Sequence, residues 1–388
     1  MIRLGIISDI HCHELIPGKQ QGGYYFPSMP DHPIHQNPFA SLKELIRNDD
    51  LCLDYLLSPG DYAHQIDNKG LKSSWDQLKI VSSELRVKSL MGTIGNHDVS
   101  SRNNGDSFSD IKAFDMDFPV YLNKNSKNYL NSLLYNCFYT IEDVELDILF
   151  IIVNSCYDHW DTVQARKGKV SKEDSERIKI EIDNSPRSRK VLMVHHHPIV
   201  HETGLSDTDD LIEGSEDLMK NIAGIDLIIH GHKHDFRFTQ KKIFPKNLNI
   251  LASGSFSCFK TSLKTNAQNA FHVIEFHSTD SLISCINQGV INTYLYDPII
   301  GWQLDSNLEE GFGCTLSEQH IRDIVVEEFN KITVPYTLWK DVVENKGLLR
   351  YITRESRNSI LSNLMEEGVI KRVTIDRFNN LHGDIILR

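Results

Sequence analysis

The sequence predicts an α/β protein that carries a smaller α+β module at its C-terminal end. Two observations carry the larger part: short, nearly continuous apolar runs alternate with segments of helical periodicity, and several of those runs stop in a cluster of Asp, Asn or His. A third carries the module. After residue 313 the apolar runs give way to three helical segments and two short strands.

The 388 residues, 40% of them hydrophobic, are enough for one large domain or for a large and a small one. A formal net charge of -12 argues against a protein that coats nucleic acid through general basicity and leaves room only for a local basic patch. The seven cysteines, Cys12, Cys52, Cys137, Cys156, Cys258, Cys285 and Cys314, show no CxxC spacing, and several sit inside apolar runs. Such usage fits reduced core thiols in the cytoplasm better than a disulfide framework. The N-terminal apolar run is broken by Asp9 and reads as a strand, not a signal segment. No apolar run approaches the roughly 18 residues of a membrane helix. The expectation is a soluble, cytoplasmic protein without membrane contact.

In chain order, Ile2 to Ser8 reads as a buried strand that ends in Asp9-Ile10-His11. The stretch from Cys12 to Pro38 is irregular, with Tyr24, Tyr25, Phe26, His32 and His35 as candidates for a base or sugar pocket. Its Gly18-Lys19 lacks the spacing and preceding strand of a phosphate-binding loop. Helical spacing covers Phe39 to Arg47. A strand from Leu51 to Leu57 runs into Gly60-Asp61, with His64 a candidate substrate contact just beyond. A helix over Trp75 to Leu85 precedes the strand Ser89 to Ile94, which ends in Gly95-Asn96-His97-Asp98. The segment from Ser100 to Asn128 is polar. Strands follow at Cys137 to Ile141 and Leu146 to Val153, then a helix capped by Ser171. The strand Lys190 to Val194 ends in His195-His196-His197-Pro198, and the acidic run from Ser206 to Asp210 reads as a solvated loop. A helix near Ser215 to Ala223 leads to the strand that stops in Gly231-His232-Lys233-His234. Two His at i and i+2 point to opposite faces of a regular strand, so they converge only if the chain turns between them. Strands at Asn249 to Gly254, Ala270 to Phe276 and Asn292 to Tyr296 close the domain.

Residues 305–313, polar and acidic, read as a linker between a domain of residues 1–304 and a module of residues 314–388. Helices over Leu316 to Lys331, Leu338 to Leu349 and Thr353 to Glu367, followed by strands Val369 to Ile375 and Asp384 to Leu387, give a winged-helix-like pattern. In a nucleic-acid reading, Arg354, Arg357, Lys371, Arg372 and Arg377 would face phosphates.

The five strand-end clusters, Asp-x-His, Gly-Asp, Gly-Asn-His-Asp, His before Pro and Gly-His-x-His, resemble the calcineurin-like metallophosphoesterases over roughly residues 1 to 300. Within them, the cyclic-nucleotide-phosphodiesterase-like branch is the nearest in character. The resemblance implies a two-sheet αββα sandwich and a binuclear centre. It assigns Asp9, His11, Asp61 and His234 to one metal, and Asp61, Asn96, His232 and His196 to the other. His196 is the triad member two residues before the proline. Carboxylate, imidazole and amide donors without thiolate suit Mn, Fe or Zn. The implied reaction is attack of a metal-bound hydroxide on a phosphoester. His97 would protonate the leaving group, and Asp98 would orient its imidazole or raise its pKa.

Three functions follow. The first is hydrolysis of a small, nucleotide-type phosphodiester. The second is a nuclease whose C-terminal module holds DNA or RNA. The third is a metal-bound scaffold without catalysis, disfavoured because every ligand and His97 are present. The module could equally dock a protein partner or a second copy of the chain.

Overall fold

The computed structural model describes residues 1–15, 22–100, 108–113, 117–123, 126–159, 166–200, 211–243, 246–259, 268–277, 285–375 and 381–386. Gly18-Lys19, the acidic run 206–210 and Arg377 lie outside the described residues. The chain divides into two compact units, the larger of residues 2–273 and 294–303, the smaller of Met1, 274–293 and 304–388.

The larger unit begins with β1 (Ile2–Ile6), α1 (Pro38–Asn48), β2 (Tyr55–Ser58), α2 (Asn68–Glu84) and β3 (Ser89–Gly92). It continues through α3 (Ser109–Ala113), β4 (Val120–Tyr121), α4 (Ser126–Tyr135), β5 (Phe138–Asp143), β6 (Ile148–Val153) and α5 (Lys172–Asn184). Then come β7 (Arg189–Met193), α6 (Ser215–Asn221), β8 (Leu227–His230), β9 (Phe236–Ile243) and β10 (Lys246–Ser253). The division between the units runs through β11 (Ala270–Phe276), β12 (Cys285–Asp297) and β13 (Gly301–Leu304).

Two sheets result. One has the order β13-β12-β11-β1-β2-β3-β4, with β1, β2 and β3 parallel; the other has the order β5-β6-β7-β8-β10-β9, with β6, β7, β8 and β10 parallel. β6 shows why a parallel strand reads as an unbroken apolar run: all six of its residues are buried. Leu149, Ile151 and Val153 pack with Ile178 and Ile182 of α5 and Leu218 of α6. Phe150, on the other face, meets Tyr55 of β2 at a ring separation of 4.8 Å. The sheets thus face each other, with helices on the outer side of the second. This is a mixed α/β fold of two sheets and helices.

Local rules account for the elements that were legible. Ser171 caps α5 by accepting from the Asp174 N–H, and Glu173 and Asp174 occupy the first turn, where the helix dipole favours them. Several elements were missed, α3, α4, β4, β9 and β13 among them. In α4 only Leu133 is buried, so Asn and Ser hide its periodicity. β9 is an edge strand, and it lacks the apolar run that marks its neighbours.

In the smaller unit, β14 (Glu310–Cys314), α7 (Glu318–Lys331), β15 (Tyr336–Leu338), α8 (Trp339–Asn345), α9 (Arg354–Glu366), β16 (Arg372–Ile375) and β17 (Leu381–Ile386) follow in order. The expected linker over 305–313 is corrected here: Ser306–Leu308 is a 3-10 turn, and β14 pairs antiparallel with β12. Glu310, Gly311 and Phe312 are buried. Its acidic composition misled because Glu310 is satisfied internally. One carboxylate oxygen accepts from the Arg354 backbone N–H and the other from Arg354 Nε, each at 2.6 Å. Arg357 is buried as well. Two of the arginines expected to face phosphates therefore serve the interior of this unit. Ile321, Val325, Phe329, Val342, Ile360, Leu361, Leu364, Val373 and Ile385 form its core beside the sheet β15-β17-β16. Among the described residues, no helix is long and apolar enough to cross a membrane.

Candidate metal centre

The loops after β1 and β2 run side by side beyond the sheet. The Asp9 N–H donates to Gly60 O at 3.0 Å and the His11 N–H to Asp61 O at 3.0 Å. Asp9, His11, Asp61, His232 and His234 all have positive φ, between 51° and 83°. For residues with a Cβ such a backbone costs on the order of 1 kcal/mol each. These turns re-aim side chains that a strand would send to opposite faces, which is how His232 and His234 reach one region. Close approach also needs glycine. A Cβ on Gly231 would lie 2.3 Å from Asp9 Oδ2, and one on Gly95 would lie 2.2 Å from Asp61 Oδ1.

The first donor set is Asp9, His11, Asp61 and His234, with ligand atoms all within 4.8 Å of one another. His11 Nε2 lies 2.8 Å from His234 Nε2, 3.5 Å from Asp61 Oδ2 and 3.9 Å from Asp9 Oδ1, and His234 Nε2 lies 3.5 Å from Asp9 Oδ1. The second set gathers on Asn96. Its Oδ1 lies 3.0 Å from His195 Nε2 and 2.9 Å from His232 Nδ1, while His195 Nε2 lies 3.4 Å from Asp61 Oδ2. Donors about 2.1 Å from a common ion stand roughly 3.0–3.4 Å apart at octahedral to tetrahedral angles, and both sets approach that spacing. Asp61 Oδ2 faces both sets and, among the described residues, has no hydrogen-bond partner.

Electrostatics support a cation. Asp9 and Asp61 are both buried. Burial holds His11 and His234 down at about 3 and His232 well below the usual imidazole range, so these rings are neutral, with lone pairs to offer. His195 is different. Burial opposes its charge, but Asp61 and Asp9 lift it to about 9. Its Nδ1 donates to Pro59 O at 2.9 Å, and its Nε2 lies 3.0 Å from Asn96 Oδ1 and 3.4 Å from Asp61 Oδ2. An imidazolium thus sits where a metal's charge would serve the same carboxylate. The Nδ1–H bond to a carbonyl is the support a metal-ligating histidine usually has. The residues present fit a pair of divalent ions.

His97 is half-buried beside them, its ring 4.7 Å from that of His11. Its backbone N–H donates to Asp61 Oδ1 at 2.8 Å, and its Nδ1 accepts from the Gln65 N–H at 3.2 Å. In the neutral ring that acceptor role leaves the proton on Nε2.

A family model for calcineurin-like phosphoesterases matches residues 2–236, more than half of the chain. The chain belongs to that family. No curated protein shows a significant match. Among solved structures, a dimetal phosphatase from Danio rerio shares 13% identity at a TM-score of 0.47, over 78% of this chain and 98% of its own. Purple acid phosphatase PPD1 from yellow lupin (Lupinus luteus) shares 13% at 0.45, over 78% of this chain and 52% of its own. Vacuolar Protein Sorting 29 from Cryptosporidium parvum shares 12% at 0.36, over 80% of this chain and 98% of its own.

Of the residues the phosphoesterase resemblance singled out, the fold brings Asp9, His11, Asp61, Asn96, His232 and His234 together, with His97 beside them. His195, His196 and His232 each bring a ring nitrogen within 4.8 Å of the other two, so the expected His196 stays among the candidates, its Nδ1 held by Ser155 Oγ at 2.8 Å, and His195, which touches both Asp61 and Asn96, joins it. One expectation needs correction. Asp98 does not orient His97. Its carboxylate accepts from the backbone N–H groups of Gly95 (2.9 Å), Asp61 (2.9 Å) and Ala63 (3.0 Å), tying two ligand-bearing loops together. Burial pushes the Asp98 carboxyl up to about 7, with Asp61 adding to the rise and these N–H groups opposing it.

Sequence reasoning missed Ser155, although β6 ends in Asn154-Ser155 as other strands end in Asp or His. It also missed His13, buried with its Nε2 unpartnered among the described residues. His64 stacks on His97 at 5.3 Å, and both its ring nitrogens lack partners there. Tyr25 belongs to the core instead of a pocket, packed on Phe39 at 4.8 Å.

Proposed function

We propose that this phosphoesterase hydrolyses a small phosphodiester of nucleotide type at two divalent ions (Mn, Fe or Zn). Asp9, His11, Asp61 and His234 would hold one ion, and Asp61, Asn96, His195 and His232 the other. The observation that carries the reading is Asp61 Oδ2, one buried oxygen 3.5 Å from His11 Nε2 and 3.4 Å from His195 Nε2. A carboxylate shared between two donor sets is what a binuclear site requires.

Ions held there supply Lewis acidity and a water ionised near neutral pH. The chain's own groups do the rest. His97 offers Nε2–H to the departing oxygen, the general-acid role. Its backbone N–H and Asp98 hold the Asp61 loop in register with the Asn96 loop. His64, stacked on His97 at 5.3 Å, would hold that ring in place.

What supports a small substrate is the internal use of Arg354 and Arg357, which removes two cations from any nucleic-acid face. Residues 314–388 we read as a winged-helix-like module that docks a protein or a second copy of the chain. Helix, strand, two helices and a hairpin follow in that order, with β17 between β15 and β16. Free cysteines throughout support a cytoplasmic setting. The test is a substrate panel of phosphomonoesters, cyclic nucleotides, dinucleotides and single- and double-stranded DNA, each with Mn and with chelator. Metal-dependent turnover of a small diester supports the proposal. Preference for DNA would move it to the nuclease reading, and no turnover with any metal would remove it.

A further inference from the structure

β12 and β14 place Cys285 and Cys314 directly opposite each other in an antiparallel pair, within the smaller unit. Residues so paired have Cα atoms about 4.5–5.5 Å apart, inside the roughly 4.4–6.8 Å window of a disulfide. Both thiols are free. They also differ in a useful way. Cys285 is buried, while Cys314 is partly exposed at the end of its strand. The hydrogen bond between the two thiols holds Cys314 down at about 7 and pushes Cys285 up. A thiolate-rich, accessible cysteine backed by a second thiol within reach is the arrangement of an attacking and a resolving pair. The five other cysteines lack it: Cys12, Cys137, Cys156 and Cys258 are buried, and among the described residues Cys52 lies in no paired strand.

We propose that Cys285 and Cys314 form a thiol-modification site that reacts with a low-molecular-weight disulfide and closes into an intrachain cross-strand bridge. The chemistry balances in two exchanges. The Cys314 thiolate attacks one sulfur of the small disulfide, giving a mixed disulfide and releasing one small thiolate. The Cys285 sulfur then attacks Cys314 Sγ, releases the second small thiolate and gives up its own proton. Two protein thiols are oxidised and one small disulfide is reduced to two thiols. The bridge would tether β14, three residues before the Ser317 cap of α7, to β12. It would therefore fix the entry to the C-terminal helices covalently, where strand pairing, the Glu310–Arg354 contact and apolar packing hold it in the reduced chain.

The experiment uses the full chain incubated with glutathione disulfide, followed by intact mass and peptide mapping. The expected product is a Cys285–Cys314 bridged peptide with the mass of two hydrogens lost, reversed by dithiothreitol. It should be accompanied by a rise of several degrees in the unfolding temperature. Cys285→Ser should instead stop at a glutathione adduct on Cys314, and Cys314→Ser should react far more slowly at Cys285. The wild-type map needs no variant to fold. A stable glutathione adduct on wild-type Cys314, or two thiols still open to alkylation, would overturn the proposal.

Discussion

His195 and His196 differ by one position in sequence and by their hydrogen-bond partners in the structure, so their alanine variants give the sharpest check on the site. His195 contributes both a donor to the Asn96 set and the positive partner of Asp61 in the metal-free chain. Its removal leaves a carboxylate that is 1% exposed without its nearest cation. Breaking a buried pair from one side costs about 3–5 kcal/mol, so metal-free His195→Ala should unfold with that much less stability. It should also bind only one ion per chain, because the lost group is a direct donor. His196→Ala removes the contact with Ser155 Oγ and leaves the His195 contacts with Asp61 and Asn96 in place. Its expected loss of affinity is at most the roughly 10–100-fold typical of supporting contacts, and at saturating metal it should keep both ions. Metal counting after dialysis against fixed free metal, together with denaturant unfolding of both metal-free variants, reads the two quantities. An ion missing from His196→Ala and retained by His195→Ala, or equal losses in both, would refute the assignment of His195.

Asp61→Asn should lose both ions and turnover together, since the shared oxygen loses its charge; two retained ions with near-normal turnover would contradict the bridging role. His97→Ala should lower turnover by about 10²–10⁴ with metals still bound, and the defect should shrink on nitrophenyl esters, whose leaving group needs no proton; an equal defect on both substrates would point to another role. For the metal-free chain the sign at His195 is set by a folded value raised from 6.5 to about 9. Its stabilisation is complete below 6.5 and fades as pH rises through about 9, so the stability–pH curve of metal-free wild type should fall over that window and the His195→Ala curve should lack the fall. In the same window metal binding should release a proton from His195, seen as calorimetric heats that change with buffer ionisation enthalpy. Arg354→Ala should lower thermal stability by leaving Glu310 buried and unpaired; an unchanged unfolding temperature would show that water already reaches that carboxylate.

The strand-end clusters were legible because Asp9, Asp61, Asn96 and His232 interrupt apolar runs, and a polar group at the end of a buried strand needs a reason. The triad was less legible. Counting back from Pro198 selects His196 and gives no sign of His195, whose direction is decided by where the chain leaves β7. Val194 still follows the strand, its N–H bonded to Ile229 O, and His195 is the residue that turns over the sheet end toward Pro59. Asp98 was misread for a related reason. Adjacency to His97 in sequence suggested a pair, whereas its oxygens are committed to three backbone N–H groups from both loops. Backbone partners leave no trace in composition.

The segment 305–313 shows the same limit on a larger scale. Acidic residues with glycines ordinarily mark solvated chain, and Asp305, Glu309 and Glu310 invite that reading. What reverses it is a partner forty-four residues away. Arg354 closes on Glu310 through its backbone and its guanidinium, and burial, which leaves the Glu310 carboxyl raised, is countered in part by that charge. The same pairing settles what Arg354 is doing: an arginine at the start of α9, where a recognition helix would meet phosphate, is spent on a carboxylate of its own unit. A buried acid that makes a strand possible and an arginine withdrawn from the surface are thus one fact. It argues jointly for a structured junction and against phosphate contact through that residue.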